Sequence, residues 1–205
     1  MGRKGLAALI KLFTYRSGKV KISYNEKLTA EDEYDDVRCQ QVNVKTYPIF
    51  DSFSLGIEIA VHTGGRYCYG KLVAQVQPEN EKNGVYAAVN YIKKNRVKYK
   101  ESLLLDDRYV YQGLPEEYLD EVVKRIPLAI SKKENYPQAK ILFTHAANCE
   151  VGSSPYFFGR IAELLIAMIP TVSCEDICAM DIQTFTDKYM KAAGLCLAYD
   201  EVSGR

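Results

Sequence analysis

A chain of 205 residues, 47% apolar and 26% charged, can bury a sizeable core and has the composition of an ordinary globular domain. Its formal net charge of +1 excludes a whole-protein field that gathers nucleic acid, so any RNA binding must come from a local patch. No apolar run reaches the roughly 20 residues of a membrane span, the opening MGRKGLAALIKLF is too short and interrupted for a signal peptide, and the cytoplasm is the expected compartment.

In chain order, residues 2–15 read as a short amphipathic helix with Leu6, Leu9, Ile10 and Phe13 on one side, ended by Gly18. VKISY (20–24) alternates as a strand, and the acidic stretch from Glu31 to Asp36 reads as a solvated turn. Strands follow around Val37, Cys39, Gln41 or Val42 and Val44, then around Leu55, Ile57, Ile59 and Val61. KLVAQVQP (71–78) runs back from Gly64-Gly65, so the pair reads as a long hairpin with a projecting tip. Residues Tyr86–Ile92 give another strand. Lys93, Lys94, Arg96, Lys98 and Lys100 then form the densest basic cluster of the chain, beside Tyr99. Such a cluster suits phosphate contact with base stacking; a solvated charged loop or an edge strand is the commoner origin of such a run.

LPEEYLDEVVKRIPLAISKK (114–133) reads as an amphipathic helix. Pro115 stands near its first position, Glu116 and Glu117 in its first turn, and Leu119, Val122, Val123, Ile126 and Ile130 on one face. Pro127 is expected to kink it or mark its last regular turn. From Gln138 to Met168 comes a strand (Ile141, Leu142, Phe143), the turn Gly152-Ser153-Ser154-Pro155, and a helix. The turn has the form of a helix start: a hydroxyl N-cap at Ser153 or Ser154, with Pro155 near N1. Its free N–H groups suit a phosphate, and the same residues read as a plain strand-to-helix junction. Pro170 stops the helix, residues 173–194 read as a third helix capped by Gly194, and LCLAYDEV (195–202) as a last strand.

Six cysteines, of which only Cys174 and Cys178 are close in sequence, and two histidines, His62 and His145, leave little material for a metal centre or a histidine-based catalytic unit. Free thiols are expected, with no cofactor. A His145–Cys149 or Cys149–Glu150 pair is the remaining nucleophile-and-base arrangement, and no third orienting group accompanies it.

Four segments in order resemble the fourth domain of elongation factor G. SGKVKISYNEKL (17–28) resembles the family's first strand, with its Gly-Lys-Pro and Tyr-Arg-Glu pattern. HTGGRYCYGKLVAQVQP (62–78) resembles the Ser-Gly-Gly-Arg-Gly-Gln-Tyr-Gly hairpin. LPEEYLDEVVKRI (114–126) resembles the Pro-Lys-Glu-Tyr helix start. CEVGSSPYFFGRIAELL (149–165) resembles the His-Glu-Val-Asp-Ser-Ser segment with its helix. The tail from Glu175 to Val202 is similar to the closing half of the fifth domain, which ends in a similar Tyr-Asp-Glu-Val. The divisions expected are a domain-IV-like unit over 17–169, a helix-strand appendage over 170–205 and an N-terminal helix over 1–16.

The resemblance implies an α+β two-layer sandwich of the small-subunit ribosomal protein type, helices on one sheet face, with a βαβ crossover of unusual left hand. In elongation factor G and its relatives, the ribosomal-protection tetracycline-resistance proteins among them, this domain is a lever. Its loops enter the small-subunit decoding region, and it does no covalent chemistry. The chain has no G-x-x-x-x-G-K-[ST] loop, so neither GTPase activity nor nucleotide binding is expected. Departures are clear. Cys149 stands where the family has its tip histidine and Gly152 where it has the aspartate. Tyr67-Cys68 replaces Gly-Gln, and the stretch 77–113 is longer than the family's. The expectation is a stand-alone, ribosome-associated protein that binds rRNA of the small subunit. The residues expected to do so are His62, Gly64, Gly65, Arg66 and Tyr67 of the hairpin, Lys93, Lys94, Arg96 and Lys98 of the basic cluster, and Asn148, Cys149, Ser153 and Ser154 of the turn. The alternative is a protein-interaction or regulatory module that kept the fold and lost the RNA.

Overall fold

The computed structural model describes residues 8–26, 36–63, 66–79, 84–91, 97–106 and 108–195. Among the described residues, nine strands form one mixed sheet: β1 (Leu9–Tyr15), β2 (Gly18–Tyr24), β3 (Asp36–Val42), β4 (Thr46–Pro48), β5 (Phe53–Thr63), β6 (Arg66–Pro78), β7 (Val85–Tyr91), β8 (Val110–Gln112) and β9 (Tyr136–Cys149). Their order is β1-β2-β5-β6-β9-β7-β3, with β4 parallel to the start of β9 and β8 antiparallel to its end. β9 is the hub: antiparallel to β6 and parallel to β7. That parallel pair is joined through β8 and α1 (Glu116–Ile130), a crossover that parallel strands require.

The period-2 pattern sorts the sheet faces. Leu55, Ile57, Ile59 and Val61 of β5, Leu72, Ala74 and Val76 of β6, and Ile141 and Phe143 of β9 are buried in the main core. Each large aliphatic side chain so buried contributes about 1.5–3 kcal/mol relative to exposure. α1 lies over β3 and β7, α2 (Pro155–Met168) over β5 and β6, and the helices pack on each other. Pro127 sits inside the last part of α1, which runs on to Ile130. Ser154 is the N-cap of α2, accepting from Phe157 N, with Pro155 at the helix start. The opposite face holds a smaller cluster at one end: Ala60, Tyr69, Val110, Ala147 and Cys149, covered by Tyr99, Leu103 and Leu104.

Two expectations are corrected. Leu9–Tyr15 is a strand, not the end of an N-terminal helix; residues 1–7 lie outside the described residues. Ile10, Leu12 and Thr14 are exposed while Phe13 and Tyr15 are buried, and the whole segment pairs with β2 from Leu9↔Tyr24 to Tyr15↔Gly18. A β-rich run beside a partner strand overrides a helical spacing of leucines. The segment 173–194 is not one helix. It divides into α3 (Cys174–Ala179) and α4 (Ile182–Phe185), the latter continuing as a π turn over Thr186–Met190. The break falls at Met180 and Asp181, both extended, because the Asp181 carboxylate caps α4 through Thr184 N at 2.7 Å. The proposed last strand lies almost wholly beyond residue 195 and outside the described residues.

The segment 174–190 packs on β1. The Phe13 and Phe185 rings stack at 4.8 Å, Tyr15 Oη meets Thr186 Oγ1 at 3.0 Å, and Lys11 Nζ donates to Cys178 O at 2.8 Å. The architecture is α+β: a large sheet with four helices packed against it.

Candidate functional site

Three chain segments meet at the end of the sheet that carries the β5–β6 tip. The hairpin register closes at Thr63↔Arg66, so the tip is the two-residue Gly64-Gly65 link; these glycines lie outside the described residues. The turn after β9 is tied to β6 by Tyr69 N donating to Gly152 O at 2.9 Å. Ser153 Oγ strengthens the tie, donating to Tyr69 O at 2.7 Å and accepting from Cys149 N at 2.7 Å. A Cβ on Gly152 would stand 3.1 Å from Tyr67 O, so a small residue lets the turn lie this close. The third segment, 97–109, joins through Glu150 N donating to Tyr109 O at 3.1 Å, and closes on itself through Gln112 N to Val97 O and Tyr99 N to Val110 O.

Beneath that third segment lies a buried ionic network. Glu58, 1% exposed, accepts from Tyr69 Oη at 2.9 Å and from Leu103 N at 2.8 Å, and the Lys21 ammonium lies 2.7 Å from its second oxygen. Lys71, opposite Glu58 in register, donates to Tyr99 Oη at 2.8 Å. Burial, and then the Glu58 charge, push the Tyr69 and Tyr99 hydroxyls well above the usual phenol range, and burial lowers the Lys71 pKa. The network latches residues 99–103 to the sheet.

Between the three segments opens a cleft of about 610 Å³. Tyr67 of the hairpin, Cys149 and Val151 of the turn, and Leu104, Leu105, Asp106 and Tyr109 of the loop line it. Leu105 is 99% and Val151 75% exposed, which no packing role explains. Asp106 pairs with Arg108 at 2.7 Å, and the hydrogen bonds from Arg108 hold its carboxyl down to about 2.

The site residues expected from sequence divide into groups. His62 is exposed, with its ring 3.5 Å from that of half-exposed Tyr67. Lys98 is exposed, its ammonium 4.1 Å above the Tyr111 ring, and its charge acts on Asp106. Arg66 opens β6 at the tip. Lys93, Lys94 and Arg96 lie outside the described residues. Asn148 Nδ2 donates to Gly113 O at 2.9 Å, Cys149 is buried, and the Ser153 and Ser154 hydroxyls are engaged within the chain. Asn148, Ser153 and Ser154 thus hold the turn in place, while Cys149 contributes to the cleft lining.

Leu104, Leu105, Asp106, Tyr109 and Val151, and the Glu58 network, were not singled out in the sequence. The run Leu103-Leu104-Leu105 inside a polar loop was the available signal for the first set. For the second, a two-residue Gly-Gly turn fixes Glu58 opposite Lys71. The His145–Cys149 pairing fails on geometry: both lie on β9, four residues or about 13 Å apart at strand rise. Cys149 is buried where Glu150 is exposed. Among the described residues no three His, Cys, Asp or Glu side chains are grouped to hold a metal ion, and no helix is long and apolar enough to cross a membrane. No protein-family model, curated protein or solved structure matches this chain.

Proposed function

We propose that the chain is a ribosome-associated, translation-factor-like protein that binds small-subunit rRNA near the elongation-factor site, without GTPase activity of its own. The observation that carries this reading is the meeting of the hairpin tip, the turn ahead of α2 and the 97–109 segment at one end of the sheet. The resemblance to elongation factor G assigns the first two of these loops to the decoding region. The run β5-β6-β7-α1-β9-α2, with β8 interposed, follows the element order the resemblance implies. The basic cluster ending at Lys100 leads into the third segment and supplies cations for phosphate.

With a net charge of +1 the affinity is modest and falls steeply with salt. Co-sedimentation with purified ribosomal subunits across a salt series, with intact elongation factor G as competitor, tests it. Small-subunit binding that salt weakens and the factor displaces is expected. The triple variant Arg66→Ala, Lys94→Ala, Arg96→Ala should lose that binding; unchanged affinity would show this map of the surface to be wrong.

A second reading rests on Leu105 and Val151, whose exposure suits a protein-interaction module that lost RNA binding. Its signature is a tight protein partner held with little salt dependence.

A further inference from the structure

The cleft at the tip has features that phosphate binding does not use. Tyr67 and Tyr109, each 45% exposed, reach it from separate segments, over an apolar floor that includes Leu104 and Val151. Its volume of about 610 Å³ is that of a small-ligand site. Asp106 in its lining is satisfied by Arg108, whose backbone N–H and guanidinium both donate to it, so the pair presents an exposed guanidinium beside the Tyr109 ring. Lys98, exposed on the same segment with its ammonium 4.1 Å over the Tyr111 ring, supplies a second cation. Cations outside and aromatic faces over an apolar floor inside suit the two halves of a nucleotide, its phosphate and its base. An aliphatic or aromatic anchor from a protein matches the floor but uses neither exposed cation.

We propose that this cleft takes one unpaired nucleobase of single-stranded RNA, stacked on Tyr67 and Tyr109, with the adjoining phosphate on Lys98. The proposal rests on the RNA-binding reading and deepens it by naming which part of the RNA enters and where. A base–aromatic stack changes affinity by about tenfold or more and tolerates any base, whereas a phosphate contact sets the salt slope. The two contributions are therefore separable.

The test is a fluorescence titration of the full chain with a single-stranded 12-nucleotide RNA carrying 2-aminopurine at its centre. The same RNA with an abasic centre, and a duplex of the same sequence, serve as comparisons, each across a salt series. Binding that quenches the 2-aminopurine is expected, with the abasic RNA and the duplex about tenfold weaker. Tyr67→Ala with Tyr109→Ala should lose about tenfold or more and the quenching, at an unchanged salt slope. Tyr67→Phe with Tyr109→Phe, which keeps the rings, should retain both, and it decides the matter where the alanine pair fails to fold. Lys98→Ala should lower the salt slope and leave the quenching in place. RNA binding undiminished in a folded alanine pair, or unquenched and equal for the abasic RNA, overturns the base site and leaves the RNA-binding reading standing. No binding of any of these RNAs at low salt, with no subunit co-sedimentation, overturns both. Salt-insensitive co-sedimentation that Leu105→Asp abolishes, with no RNA bound, overturns the base site in favour of a protein anchor in the cleft.

Discussion

Tyr69 donates its hydroxyl to Glu58 at 2.9 Å on the diagonal of the β5–β6 hairpin, and both groups are buried. The same carboxylate accepts Leu103 N and faces Lys21, so one side chain ties two strands and the 97–109 segment together. Removing it strands an ammonium only 13% exposed, a hydroxyl and an amide at once. Glu58→Ala should cost roughly 3–5 kcal/mol, against about 1.5–3 kcal/mol for Tyr69→Phe, which deletes the hydrogen bond to the charged Glu58 together with the one shared with Ser102. Urea midpoints of the two variants check this, and equal losses would show that Glu58 is not the hub.

The buried phenols give the stability a one-sided pH dependence. Tyr69 and Tyr136 are both fully buried, and burial raises the pKa of each well above the usual phenol value. Their unfolded forms ionise near pH 10. The folded state therefore holds protons that the unfolded state releases, and stability falls as pH rises. It is present in full below about pH 10, then drops by about 1.4 kcal/mol per pH unit for each such tyrosine. Lys71, whose pKa burial lowers, acts in the opposite sense and only below its ordinary value. Urea titrations from pH 8 to 11.5 should show stability level or rising toward pH 10, as the Lys71 contribution dictates, followed by a steepening loss. Tyr136→Phe should reduce the slope by about one tyrosine's share.

Neighbouring serines should behave differently. Ser153 makes two hydrogen bonds of 2.7 Å that fasten the turn to β6, while Ser154 makes one of 3.3 Å as the N-cap of α2. Ser153→Ala should cost about 1–3 kcal/mol, since a buried amide and a carbonyl lose their partner together. Ser154→Gly should cost only a few tenths, because glycine is itself a tolerated cap. Amide hydrogen exchange at Cys149 adds a local reading, with faster exchange expected in Ser153→Ala alone.

Local signals in the sequence were strong where the partner was close along the chain. The β5–β6 hairpin, α1 with its Pro115 start, and α2 with its Ser154-Pro155 start follow from period and capping residues within a few positions. What fails to show locally is what distant partners decide. Leu9–Tyr15 carries a helical spacing of leucines, yet seven paired residues of β2 make it a strand. Asp181 reads as one more polar residue on a helix until its carboxylate is seen capping the next turn. At the candidate site the hairpin and the turn were visible, because both carry glycine and serine punctuation. The cleft was not, because its far wall comes from Leu104, Leu105, Asp106 and Tyr109, on a segment brought in through Glu58, some 45 residues earlier in the chain.

Gly70 shows how a residue matched to the hairpin motif serves packing instead. It lies on β6 beneath α2, where a Cβ would come 2.7 Å from Ile161 Cδ1 and 3.2 Å from the Phe158 ring. Both neighbours are fully buried. The Ile161 tip can move aside, but the ring has no empty space behind it in a close-packed core, so Gly70→Ala should overpack by about 1–3 kcal/mol. Ile161→Val removes the very atom that is struck and should cost about 0.5–1.5 kcal/mol alone. In the double variant the two changes compensate, so its stability should be no lower than that of Gly70→Ala. A thermal-melting double-mutant cycle measures this coupling. Additive losses would mean that Phe158, not Ile161, sets the closest approach of α2 to the sheet.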